Sequence, residues 1–368
     1  MKVLVVAGAR PNFMKVAPIL AALDAGRHER VFVHTGQHYD ATMSDAFFRD
    51  LGLPEPDYHL GVGSGSHAKQ TARVMEAFEP VVVESRPDWV VVVGDVNSTL
   101  ACALVTAKLR HDQGVRIAHV EAGLRSNDWA MPEEVNRVLT DRLSDVLLTP
   151  SHDATPNLLR EGIDADRIVF VGNVMIDSLL RMLGPARALR VPARMGLAGK
   201  RYAVATLHRP SNVDDARQLG VILEALRHVA RDLPIVLPLH PRTRDRMKAF
   251  GLDSELDGVR ILDPLGYTEM LGLQADASLV LTDSGGMQEE STVLGVPCVT
   301  LRETTERPVT VTEGTNRMAP WPLTTQGIVD AARNGLATGR VAVGAKAPEG
   351  WDGKAGERIV AALSATKR

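Results

Sequence analysis

Trp89-Val90-Val91-Val92-Val93-Gly94-Asp95-Val96-Asn97-Ser98-Thr99, followed by LACALVTAKLR at 100–110, passes in one stretch from strand to loop to helix. Five apolar residues in a row, without alternation, fit a strand covered on both faces, as in a parallel sheet. Gly94 ends the run, and Asn97 or Ser98 suits the N-cap of the helix that follows. The same pattern recurs outward in both directions. Apolar runs lie at Val3–Ala7, Val31–Thr35, Arg116–Val120, Val146–Thr149 and Ile168–Val171. Further runs are Ala203–Leu207, Ile235–Leu239, Val259–Leu262, Leu279–Thr282 and Cys298–Leu301. Helical patterns separate them, among them Met14–Leu23, Ser98–Arg110, Glu133–Leu143 and Ala216–Ala230. Eleven strands exceed one ordinary doubly wound sheet, and no eightfold rhythm suggests a barrel.

Two Rossmann-like α/β domains fit best, meeting between residues 172 and 200. The expected first domain is 1–172 and the second 173–352, with Pro185–Lys200 as linker or peripheral segment. Composition narrows the job. The 368 residues include 45 Asp+Glu against 42 Lys+Arg, a formal charge of −3, so no basic excess is present for a nucleic-acid polymer. Cys102 and Cys298 are too few for a disulfide scaffold or a four-cysteine zinc site and read as core thiols. The opening MKVLVVAGARP reads as a buried strand rather than a signal peptide, and no apolar stretch is long enough to span a membrane. A cytoplasmic enzyme is expected.

Ligands of such sheets sit at the carboxyl ends of strands. Gly8-Ala9-Arg10-Pro11 lacks the GxGxxG spacing of a dinucleotide site, but Arg10 and Lys15 near a helix start would welcome an anion. Two surface cations are an equally good reading of that segment alone. Asp95 by itself is explained as an acid complementing a helix dipole. Glu121, in HVEAGLR at 119–125, and Glu133-Glu134, opening another helix, change the weighing. Three acidic loops then share one sheet edge, and neighbouring carboxylates tune each other for acid–base work. Glu133 and Glu134 point about 100° apart on a helix, so one is expected at the site and the other in solvent. His208-Arg209 and His240 leave strands in the second half. Thr282-Asp283-Ser284-Gly285-Gly286-Met287-Gln288-Glu289-Glu290 is the most specific signal. A strand runs into Ser-Gly-Gly and a helix, freeing backbone N–H groups for a diphosphate, with Glu290 able to accept ribose hydroxyls.

GxRPxxxKxAP at 8–18, GD…ST at 94–99, HVEAGLR at 119–125, PEExNR at 132–137, HR at 208–209, DSGGxQEE at 283–290 and TTERP at 304–308 occur in order. Together they resemble the non-hydrolysing UDP-N-acetylglucosamine 2-epimerase family over nearly the whole chain. That resemblance implies the GT-B fold, two Rossmann-like domains with parallel sheets and an interdomain cleft for the nucleotide sugar. It also implies a C-terminal helix, about 353–368, returning to the first domain. Family members are cytoplasmic homodimers that need neither nicotinamide nor metal. By motif, Arg10, Lys15, His208, Ser284, Gly285, Gly286, Glu290 and Arg307 would hold UDP. Asp95, Glu121 and Glu133 would surround the sugar with Arg137, and Leu265 and Met270 would meet the uracil. An aromatic is common where Met270 stands, and HRPSN departs from the frequent HRxEN.

The implied chemistry is anti-elimination of UDP to a 2-acetamidoglucal and re-addition. His208 serves the departing diphosphate, and the carboxylates serve C1 and C2. Three other readings compete. A relative acting on a UDP-2,3-diacetamido uronic acid would keep every motif, and Gln37-His38-Tyr39-Asp40 resembles such members. A GT-B glycosyltransferase would need an acceptor, and a nucleotide-sugar sensor would need no chemistry. Asp40, where relatives carry Gln, predicts weak activation by UDP-N-acetylglucosamine.

Overall fold

The computed structural model describes residues 1–37, 48, 50–252 and 256–366, with the side chains of Arg10 and Pro11 left out. The QHYD segment therefore falls, from His38 to Asp40, outside the described residues.

The chain divides into two units, Met1–Arg181 with Glu349–Arg368, and Met182–Pro348. In the first, the strands are β1 (Lys2–Ala7), β2 (Glu29–His34), β3 (Tyr58–His59), β4 (Trp89–Val93), β5 (Arg116–Val120), β6 (Val146–Thr149) and β7 (Ile168–Phe170). They form one sheet in the order β3-β2-β1-β4-β5-β6-β7, all parallel. The order reverses direction between β1 and β4, the topological switch point where doubly wound sheets open a crevice. Val90, Val92, Ile117 and Phe78 belong to one buried face, so each central strand is covered as its unbroken apolar run requires. The helix Ala355–Ala365 returns to pack on the helix Arg10–Ala25. A Cβ at Gly356 would lie 2.8 Å from the Pro18 carbonyl oxygen, so only glycine permits this approach. Asp177 fixes the returning helix by accepting the N–H groups of Ala355 (3.1 Å) and Gly356 (2.7 Å).

The second unit holds β8 (Ala203–Thr206), β9 (Ile235–Pro238), β10 (Val259–Leu262), β11 (Leu279–Thr282), β12 (Cys298–Thr300) and β13 (Asn316–Met318). Their order is β10-β9-β8-β11-β12-β13, again parallel, with the switch point between β8 and β11. The helix Ala216–Ala230 shows why these segments coil. Asp215 caps its start by accepting the Gln218 N–H at 2.7 Å, and Leu219, Ile222, Leu223, Leu226 and Val229 form its buried stripe.

All eleven anticipated strands are present. Two more, β3 and β13, are short, and β13 is largely polar. The Pro185–Lys200 stretch is peripheral, with most of its residues exposed, but it is not the boundary between the units and part of it is helical. Pro185 lies inside the helix Val174–Ala188, and a further turn spans Val191–Arg194. Buried Met182, Leu183 and Ala186 hold that helix through the proline. Asn97 and Ser98 do not cap their helix; Val96 occupies the N-cap and both side chains turn inward. Cys102 and Cys298 are buried free thiols. Among the described residues, no helix is long and apolar enough to cross a membrane.

Candidate active site

In the first unit, ion pairs join the helix Arg10–Ala25 to the loop after β5, and the loop after β4 to the helix Pro132–Leu143. Asn12 anchors the turn before the first helix, its Oδ1 accepting the N–H groups of Gly8 (3.0 Å) and Ala9 (3.1 Å). One turn later Lys15 is buried and paired with Glu121. Gly94 has φ +66°, and a Cβ there would lie 2.8 Å from Lys15 Nζ, so the bare glycine leaves the ammonium its place. Glu121 itself has φ +74°, a costly conformation for a non-glycine residue and one that clusters at functional sites. Asp95, partly exposed, is paired with the buried Arg137. Arg137 also pairs with Glu134.

Glu134 corrects an expectation. It is not solvated but 1% exposed, and it accepts the backbone N–H of Asn127 (2.9 Å) and of Ser126 (3.1 Å to Oε2). Burial works against its charge, yet these N–H groups and Arg137 win and hold the carboxyl below its usual range. Glu133 is half-buried at the start of the same helix, with no ion pair among the described residues. Arg10 opens the first helix, and its side chain lies outside the description.

In the second unit, the loops after β8 and β11 flank the switch point. Asp283 is fully buried and accepts the N–H groups of His208 (3.0 Å) and Arg209 (2.9 Å). Its Oδ1 lies 2.8 Å from His208 Nδ1, which fixes the imidazole of that half-exposed residue. Burial opposes the Asp283 charge, but His208 and these N–H groups keep the carboxyl low. Ser284 stands at the N-cap of the helix Gly285–Leu294 without capping it through its side chain. The first-turn N–H groups at Gly285 and Gly286 are thus disposed for an anion. Cations gather around this helix start on buried carboxylates. Arg307 lies 2.6 Å from Glu289, and Arg302 lies 2.8 Å and Arg209 3.6 Å from Glu306. Burial disfavours the charge of Glu306, but Arg307 and Arg302 hold it ionised far below the carboxylate range. A Cβ at Gly285 would come within 3.0 Å of Glu306 Oε1, so the acid sits directly against the glycine.

Glu290, one turn into that helix, is buried, and burial pushes its carboxyl up to about 8 despite a hydrogen bond with Tyr267. The Gln274 amide, oriented to satisfy its neighbours, donates to Glu290 Oε2 at 2.8 Å. Leu265 and Met270 are half-buried, at the end of the loop after β10 and in the helix Tyr267–Ala275. His240 caps the helix Pro241–Ala249, accepting the Arg242 N–H at 3.2 Å, and its ring centroid lies 6.3 Å from that of His208.

A family model described as UDP-N-acetylglucosamine 2-epimerase matches residues 21–364. The chain belongs to the UDP-N-acetylglucosamine 2-epimerase family. It is 44% identical over 324 residues to the UDP-N-acetylglucosamine 2-epimerase of Methanocaldococcus jannaschii, covering 86% of this chain and 87% of that one. It is 46% identical over 321 residues to the UDP-2,3-diacetamido-2,3-dideoxy-D-glucuronate 2-epimerase of Pseudomonas aeruginosa, covering 86% and 87%. The fold matches the crystal structure of the M. jannaschii UDP-GlcNAc 2-epimerase in complex with UDP-GlcNAc and UDP. The TM-score there is 0.88 with 41% identity over the full length of both chains. The two parallel α/β sheets are accordingly of the GT-B type seen in these family structures.

Sequence reasoning missed the residues that hold the candidate site residues: Asn12, Glu134, Asp283, Glu289 and Glu306. Glu134, Asp283, Glu289 and Glu306 all stand inside the ordered motifs, and strand-end position was the available clue to Asp283.

Proposed function

We propose that this protein interconverts UDP-N-acetylglucosamine and UDP-N-acetylmannosamine by anti-elimination and re-addition of UDP. The observation that carries this reading is the pairing of two acids, Glu121 and Asp95, with the buried cations Lys15 and Arg137 at one switch point. Such pairs fix the carboxylates in place, as proton acceptance and stabilisation of positive charge require. The hydrogen on C2 is unactivated. As the C1–O bond breaks, its electron pair leaves with UDP and positive charge grows on C1, which acidifies C2–H. A carboxylate of the set Asp95, Glu121 and Glu133 takes that proton, and the C–H electrons form the C1=C2 bond of the glycal. A proton delivered to the opposite face of C2, with return of UDP to C1, completes the inversion.

The diphosphate is assigned to the Ser284-Gly285-Gly286 helix start with Arg10, His208 and Arg307, and the ribose to Glu290. Leu265 and Met270 are assigned to the uracil. The enzyme is taken as a cytoplasmic homodimer working without cofactor. Incubation with UDP-N-acetylglucosamine in D₂O, without acceptor, tests the reaction. Deuterium at C2 and a UDP-N-acetylmannosamine signal are expected; recovery of protiated substrate alone rejects it. The 46% identity to the P. aeruginosa enzyme favours one second reading, 2-epimerisation of a UDP-2,3-diacetamido uronate. A higher kcat/KM on that sugar would decide for it.

A further inference from the structure

His119 and Asp141 are fully buried in the first unit and belong to none of the assignments above. His119 Nδ1 lies 2.6 Å from Asp141 Oδ1, and Nε2 lies 2.8 Å from the Gly94 carbonyl oxygen. A carbonyl only accepts, so the ring donates to Gly94 from Nε2. The other carboxylate oxygen of Asp141 accepts the Gly123 N–H at 3.1 Å and lies 2.8 Å from Arg125. Arg125 closes on Glu161 through two hydrogen bonds of 2.7 Å.

The partners of this network are the segments that carry the acids. Gly94 precedes Asp95, Gly123 closes the turn begun at Glu121, and Asp141 shares the helix Pro132–Leu143 with Glu133. Desolvating such a network is expensive, and apolar side chains would fill the same space more cheaply. Directional bonds supply what apolar packing does not, a fixed spacing between the three segments. We propose that His119 and Asp141 are positioning residues that set Asp95, Glu121 and Glu133 relative to one another, so that the glycal is re-protonated before it escapes. This rests on the elimination reading above.

Asp141→Asn and His119→Gln keep size while removing an acceptor or a ring donor. Each is expected to lower kcat by about 10²-fold, the cost of a misplacement near 1 Å, with KM within about twofold of the parent value. Free UDP and 2-acetamidoglucal per epimerisation should rise in both. Glu161→Gln, at the exposed end of the network, should leave kcat and this partition unchanged. Unchanged kcat and partition in folded Asp141→Asn and His119→Gln would overturn the proposal. So would failure of both variants to fold, since the network would then serve folding alone. If the parent enzyme gives neither deuterium exchange nor epimer from either sugar, the functional reading fails first and separately.

Discussion

Burial outweighs the hydrogen bond with Tyr267 and pushes the Glu290 carboxyl up to about 8. A folded-state value raised above the ordinary 4.5 means that the unfolded chain loses its proton first. Stability from this residue is therefore fullest at acid pH and declines as pH climbs from about 4.5 to about 8, and Glu290→Gln should flatten that part of a Tm–pH curve. On the proposed assignment of the ribose to Glu290, its hydroxyls donate best to the ionised form. Affinity for UDP-N-acetylglucosamine, whose diester phosphates do not titrate in this range, should rise on the order of tenfold from roughly pH 6.5 to 8.5. Calorimetry should find no such rise in Glu290→Gln. The neighbouring acids of the PEExNR motif have opposite fates. Glu133→Gln should cost less than roughly 1 kcal/mol of stability while turnover falls on the order of 10²-fold or more. Glu134→Gln breaks a buried pair with Arg137 and puts an NH2 donor in place of the oxygen that faces Arg137 and Ser126. It should destabilise by about 3 kcal/mol in urea unfolding. Nothing in the sequence separates the two glutamates, because the angle between successive helical residues is known but the direction of the core is not.

The helix Gly285–Leu294 was legible as an element from its strand–glycine–helix pattern, and Ala216–Ala230 from its apolar stripe. The strand Tyr58–His59 was not legible, having only two residues to signal it. Pro185 misled because proline marks breaks on average, whereas here tertiary packing keeps the helix. At the helix Gly285–Leu294, to which the diphosphate is assigned by proposal, the prediction concerns one methyl group. Gly285→Ala adds a Cβ 3.0 Å from Glu306 Oε1, at a position where alanine favours the helix. Folding should survive, while the carboxylate and its arginines shift. KM for the UDP-sugar should rise about tenfold, equivalent to 1.4 kcal/mol of lost binding, with kcat less affected.

Across the molecule, both sheets place their reversal of strand order beside motif loops: β1/β4 beside Lys15 and Asp95, β8/β11 beside His208 and Ser284. Unbroken valine-rich runs made parallel sheets readable, since only strands covered on both faces tolerate them. The buried counter-charges were unreadable, because Glu289 and Glu306 are found by their arginines only once the chain is folded. Activity should survive EDTA and exhaustive removal of nicotinamide, as the first turn lacks GxGxxG; loss of turnover on either treatment would reject the elimination scheme.

The helix Ala355–Ala365, packed on Arg10–Ala25, gives the molecule an order of assembly in time. The second unit is one continuous stretch and can close as soon as it clears the ribosome. The first must wait for about 170 further residues, on the order of ten to thirty seconds of translation. Throughout that interval the surface around Pro18 that awaits Gly356 stays uncovered, so the earliest-made half is the last to be finished. A chain stopped after Pro348 should therefore be cut by protease in its first 181 residues and spared in the second unit.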